Sequence, residues 1–171
     1  GLAFHQVGED PGPGPFAPTE DHRLYERHLA REQGWDEPMS PATTGPGVVH
    51  DGNAAFLGGT AGNAGLFGTA ADVHVRLLEL AGMPNLWERW EDSYRSLACV
   101  SAADPQSHAH GILPESWFGH TGFTGCSFWF EPKRRRGLLL LTNRVHPAVG
   151  RRIETERRAV LHAAWPLLEA A

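Results

Sequence analysis

Lysine is almost missing from this chain. Lys133 is the only one in 171 residues, and the other 14 of the 15 basic residues are arginine. Cysteine is scarce too. Cys99 and Cys126 form no CxxC, which excludes a disulfide framework and gives no metal or redox motif. No apolar run approaches the roughly 20 residues of a membrane helix. Positive charge is in deficit, with 20 Asp+Glu giving a net charge of −5, which argues against a nucleic-acid binder. The chain opens Gly-Leu-Ala-Phe and its first methionine is Met39. It is therefore expected to be a processed or excised piece, or part of something longer. Any signal peptide would lie upstream.

What the chain does have is glycine and proline, 20 and 13 residues. It is loop-rich, yet 41% apolar residues and six tryptophans keep it out of the disordered class. Residues 8–18 carry four prolines and read as a rigid extended loop. A short exposed helix is expected within 19–33, and a loop over 34–47. The glycine-rich stretch 58–68 reads as tight turns; it has no GxxxxGK[ST] to cradle a phosphate. Thr69 and Asp72 form a near capping box. Val73, Leu77, Leu80 and Ala81 then mark a helical face, stopped by Gly82 and Pro84. Leu86, Trp90, Tyr94 and Leu97 predict a second helix over 85–97. The period then changes. Residues 126–131 read as an aromatic strand, 132–136 as a charged turn, and 137–142, with four leucines in a row, as a strand buried on both faces. A helix over 152–169 follows, with Ile153, Val160, Ala164, Leu167 and Leu168 toward the core.

Ten histidines raise the question of a metal site. His50 beside Asp51, and the pair His108 and His110, are the candidates, but no third ligand stands at a telling spacing and there is no HExxH. Exposed loop histidines are the plainer reading, and no cofactor is expected. The segment Gly119-His120-Thr121-Gly122-Phe123-Thr124-Gly125 is more specific. An imidazole can hold or move a proton, a threonine hydroxyl can donate to a substrate carboxylate or carbonyl, and glycine admits a close backbone. Alone, the segment is equally a turn into a strand.

With its surroundings, the sequence resembles the β-lactamase-related serine hydrolases: class C β-lactamases, penicillin-binding proteins and related esterases. The segments that carry the resemblance are 119–125, Phe128-Trp-Phe-Glu-Pro132 and Leu138 through Pro147. Upstream they are Phe16-Ala-Pro-Thr-Glu20, Val49-His-Asp-Gly-Asn-Ala54 and 62–72. The family's third motif is Lys-Thr-Gly or His-Thr-Gly before a strand. The resemblance implies that His120 takes the basic position, Thr121 binds substrate, Gly122 allows close approach, and the Phe123 backbone N–H is an oxyanion donor. It implies an α+β, partial β-lactamase/transpeptidase-like fold, with 1–68 loop-rich, 69–98 helical and 117–171 holding sheet strands and a C-terminal helix. The chain would form the second half of the family domain. The substrate would be a small ester, amide or β-lactam, and the partner the upstream half of the same domain.

Two motifs of the family do not occur. No serine stands three residues before Lys133, where Phe130 lies, and neither Tyr-x-Asn nor Ser-x-Asn is present. A serine without its general base is a weak nucleophile. The chain is thus expected to be inactive alone, its serine and lysine supplied from outside it. The alternatives are an inactive remnant or binding module, and a metal hydrolase using His50, Asp51, His108 or His110. The strand over 137–142 is expected to leave a leucine-rich edge.

Overall fold

The aromatic and leucine-rich segments of the C-terminal half pair into one antiparallel sheet. The computed structural model describes all residues except Pro11, Pro13, 37–44 and Ala171. In chain order the elements are α1 Leu24–Glu32, α2 Gly52–Phe56, α3 Ala70–Leu80, β1 Val100–Ser101, β2 Phe118–Thr121, β3 Ser127–Glu131, β4 Arg136–Leu140 and α4 Glu154–Glu169, with 3-10 turns at Asp21–Arg23 and Pro84–Leu86. The architecture is α+β, consistent with a partial β-lactamase-like fold. The chain divides into two compact units: Gly1–Thr69 with Asn143–Arg151, and Ala70–Thr142 with Arg152–Ala171.

In the second unit the four strands form a meander in the order β1-β2-β3-β4. Successive side chains of a strand point to opposite faces, and both faces here are apolar. Trp129 and Leu138 pack on one face with Trp117, Ile112 and Leu161, joined by Ala164, Trp165 and Leu168 of α4. Phe118 and Phe130 pack on the other with Leu77 of α3, Trp87 and Cys99. Leu138 and Leu139 go to opposite clusters, so the leucine run is packed on both faces. Burial pushes the Cys99 thiol up to about 12, which leaves it an inert apolar filler. The hairpin of β3 and β4 followed by α4 is the arrangement expected for 126–169. The outer strands of the sheet are β1 and β4, and β1 carries only an isolated bridge, Val100 with Arg95, on its outer side.

Two expectations are corrected. No helix covers 85–97: a single 3-10 turn at Pro84–Leu86 is all that forms. Asp92 adopts a left-handed backbone (φ 58), and the Trp90 N–H donates to the Arg95 carbonyl at 2.9 Å, closing a tight reversal. Trp90, Tyr94 and Leu97 are exposed instead of forming a core stripe. In α4 the buried face also differs. Val160 and Leu167 are exposed, while Arg157 and Leu161 are buried.

In the first unit, Glu20 is buried, with His50 Nε2 3.3 Å from its Oε2. Its carboxylate also accepts from the Tyr25 and Val149 backbone N–H groups. Asp51 caps α2 by accepting from the Ala54 N–H at 2.8 Å, and it accepts from Asn63 Nδ2 at 3.0 Å. His50 and Asp51 therefore serve packing and capping. Among the described residues no three ligating side chains come together as a metal site. The glycines of 58–68 act as turn residues: Gly58, Gly59 and Gly65 have φ between +87 and +100.

Candidate functional site

β2 lies second in the sheet, yet half of it is an edge. β1 has only two residues, and it pairs Val100 with Gly119 and Ser101 with Phe118. His120 and Thr121 pair with Phe128 and Ser127 of β3 on one side only. Among the described residues no strand pairs with their other side. A pocket of about 180 Å³ opens there, lined by His120, Thr121, Trp129, Ser107, His108 and Arg95 among others. His120 is exposed and Thr121 half-buried. Among the described residues neither side chain has a hydrogen-bonding partner.

Gly119 is what allows the floor of this pocket. A Cβ there would run into the Phe128 carbonyl oxygen and the Trp129 ring. Trp129, 1% exposed, lies over the backbone where the missing side chain would stand. Trp117 is not part of this pocket. It is fully buried and packs edge-to-face on Trp165, ring centroids 5.7 Å apart, on the α4 face of the sheet.

Gly122 and Phe123 sit past the end of β2, in the turn to β3, and neither lines the pocket. The Gly122 N–H donates to the Cys126 carbonyl at 2.7 Å, closing the turn, and Phe123 is 46% exposed. The turn is held from below by Arg157 of α4. Its guanidinium donates from Nε to the Gly125 carbonyl at 3.2 Å, and from Nη2 to Gly122 at 2.7 Å and Cys126 at 3.2 Å. Sequence reasoning missed this residue, since one arginine among several on a helix reads as a solvated charge.

The loop before β2 supplies the far wall. Arg158 Nη1 donates to the His108 carbonyl at 2.9 Å, and the Ser107 hydroxyl accepts from the Ala109 N–H at 3.0 Å. The His108 imidazole is held below its usual range, first by burial and then by the Arg157 guanidinium, with Arg158 adding and Glu154 opposing. It is thus kept neutral. His110 is exposed and does not line the pocket. A larger cavity of about 550 Å³ lies elsewhere, around Trp87, Phe118 and Pro132. It contains neither His120 nor Thr121, so size alone is a poor guide here.

An antiparallel sheet backed by a C-terminal helix is consistent with part of a β-lactamase-like domain. A sequence model of the Beta-lactamase family matches residues 10–163, and the chain belongs to that family. It is also similar to an N-acetylmuramyl-L-alanine amidase of Bacillus subtilis (strain 168), 28% identical over 138 residues. That stretch is 66% of this chain and 30% of the amidase, so the chain spans under a third of the relative it matches. No solved structure matches the chain. No helix among the described residues is long and apolar enough to cross a membrane.

Proposed function

We propose that this chain forms the substrate-binding second half of a β-lactamase-related serine hydrolase domain, acting on an ester, amide or β-lactam. The observation that carries the reading is the pocket at the free edge of β2, lined by His120 and Thr121, whose side chains have no hydrogen-bonding partner among the described residues. In this reading a serine outside the chain attacks the substrate carbonyl. Its proton passes to a neighbouring base outside the chain and then to the leaving group. The C–O bond to serine forms as the bond to the leaving group breaks, and water later hydrolyses the acyl-serine. The Thr121 hydroxyl donates to the substrate, His120 orients it, and Gly122 admits its backbone. The Phe123 N–H donates to the oxyanion with the nucleophile's own N–H.

The test is a protein carrying the in-frame coding sequence upstream of Gly1. It should contain Ser-x-x-Lys and be labelled by a fluorophosphonate at that serine, and not at any serine of residues 1–171. Thr121→Val should lower kcat/KM on a reactive ester at least about tenfold, the loss of one transition-state hydrogen bond of roughly 1.4 kcal/mol. Stoichiometric acylation inside 1–171, or a silent Thr121→Val, refutes the reading.

A further inference from the structure

The motif turn is gripped at one particular peptide group. Arg157 of α4 donates from Nη2 to the Gly122 carbonyl at 2.7 Å, a length typical of a charge-assisted bond. The same oxygen accepts from the Gly125 N–H at 3.1 Å, so both of its lone pairs are used. Gly122 is also fixed on its N-terminal side, where its own N–H donates to the Cys126 carbonyl at 2.7 Å. The Gly122 carbonyl and the Phe123 N–H belong to one peptide unit. That unit is planar and trans, so its C=O and N–H point in opposite directions. Whatever holds the carbonyl therefore aims the Phe123 N–H, away from the guanidinium.

The grip is rigid and it is charged. Arg157 is 6% exposed, and its Nε and Nη2 also donate to the Gly125 and Cys126 carbonyls, each at 3.2 Å. Three acceptors of one turn fix the orientation of the planar fork. One turn further along α4, Leu161 is 2% exposed in the core cluster with Trp117, Trp129 and Leu138, which anchors the helix to the sheet. A cation bonded to a carbonyl draws electron density from the amide and makes its N–H a stronger donor, because hydrogen bonds in a chain polarise one another. Water can take up the vacated lone pair in a variant, but it brings neither charge nor a fixed direction.

We infer that Arg157 is a positioning residue for the reaction, aiming and polarising the Phe123 N–H through the peptide unit it shares with the Gly122 carbonyl. The inference rests on the proposed oxyanion role of Phe123. It adds a buried cation behind the oxyanion donor, supplied by α4 from outside the His120-Thr121-Gly122 motif.

Two measurements test it. In the isotopically labelled 171-residue chain, Arg157→Met should move the Phe123 amide nitrogen and proton upfield, and Arg157→Lys should move them less. Amides of β3 that stay in place check that each variant is folded. In the longer protein, ester turnover is expressed per fluorophosphonate-titrated serine, so that loss of folded protein cancels. Removing an oxyanion donor outright costs about 10²–10³ in kcat, so misaiming one in Arg157→Met should cost at least about tenfold, with KM within about twofold. Arg157→Lys should recover part of the loss. Leu161→Ala loosens the same helix but keeps the cation, and should hold kcat per titrated serine. If Arg157→Met keeps that kcat, if Leu161→Ala loses as much, or if the Phe123 amide does not move, the role of Arg157 is overturned. The substrate reading then stands as long as Thr121→Val still lowers kcat/KM. If no serine outside residues 1–171 is labelled, or Thr121→Val is silent, that reading fails and the inference with it.

Discussion

Replacing Arg157 by methionine tests whether α4 holds the motif turn in place. The residue is 6% exposed, and its guanidinium donates to three carbonyls of one turn. Two of those carbonyls have a second donor: Gly122 accepts from the Gly125 N–H at 3.1 Å, and Cys126 accepts from Gly122 at 2.7 Å. The Gly125 carbonyl is buried beneath the helix and depends on Arg157 most. Leaving one buried acceptor without a partner costs about 1–3 kcal/mol, and losing a bond to a charged donor about 1.5–3 kcal/mol. Methionine retains much of the apolar stem's packing, and water can reach the exposed Gly122, so the expected sum is about 3 kcal/mol. In a chain of this size that lowers Tm by roughly 6–12 °C. Urea unfolding followed by tryptophan fluorescence measures it, with Arg157→Lys falling between because an ammonium cannot span the three acceptors as a planar fork does. A loss below about 1 kcal/mol for Arg157→Met would refute the reasoning.

The two glycines flanking His120-Thr121 should respond oppositely. Gly119→Ala drives a methyl into the Phe128 carbonyl and the Trp129 ring and should cost about 3 kcal/mol or more in urea unfolding; Gly122→Ala, whose nearest neighbour would be the Cys126 carbonyl at 3.6 Å, should keep stability within about 1 kcal/mol. His108 should titrate by NMR below the ordinary value near 6.5, and Arg157→Met should raise it. Because the folded state then binds that proton less readily than the unfolded state, His108 makes stability fall as pH drops from 6.5 through its lowered folded value. A His108→Asn variant should lose that part of the pH dependence.

How much of this could be read from residues alone depended on the range of the interaction. The leucine run at 138–141 was legible because strand length, a charged turn and a following helical period are local signals. The 85–97 segment was not. Its aromatics fall at helical spacing, but Asp92 turns left-handed and the Trp90–Arg95 bond closes a loop, and neither event has a periodic signature. His120 and Thr121 stood out through their glycine bracket. That their strand is an edge there depends on β1 ending after two residues, which composition does not announce. Arg157 was invisible for a related reason: it acts on the motif turn through packing over more than 30 positions of sequence, and it looks like an ordinary surface charge until the sheet is built.

The contrast between Gly119 and Gly122 separates what the fold requires from what a ligand would require. Gly119 is explained entirely from within, because Trp129 occupies the space of its side chain and the β2–β3 pairing fixes both backbones. Gly122 is not: its φ is not in the left-handed region, and a methyl group there would meet only ordinary van der Waals contacts. The chain's own packing thus gives no reason for glycine at 122, although the residue directly follows Thr121, whose hydroxyl has no hydrogen-bonding partner among the described residues, just past the end of β2. A small residue that the fold does not need, beside a polar edge that the fold does not satisfy, is what a strand leaves when another backbone is to lie against it. Stability and turnover measured on the same Gly122→Ala protein therefore divide the two causes. Stability should hold while ester turnover in the longer protein falls, and a variant that keeps both would remove Gly122 from the substrate-binding edge.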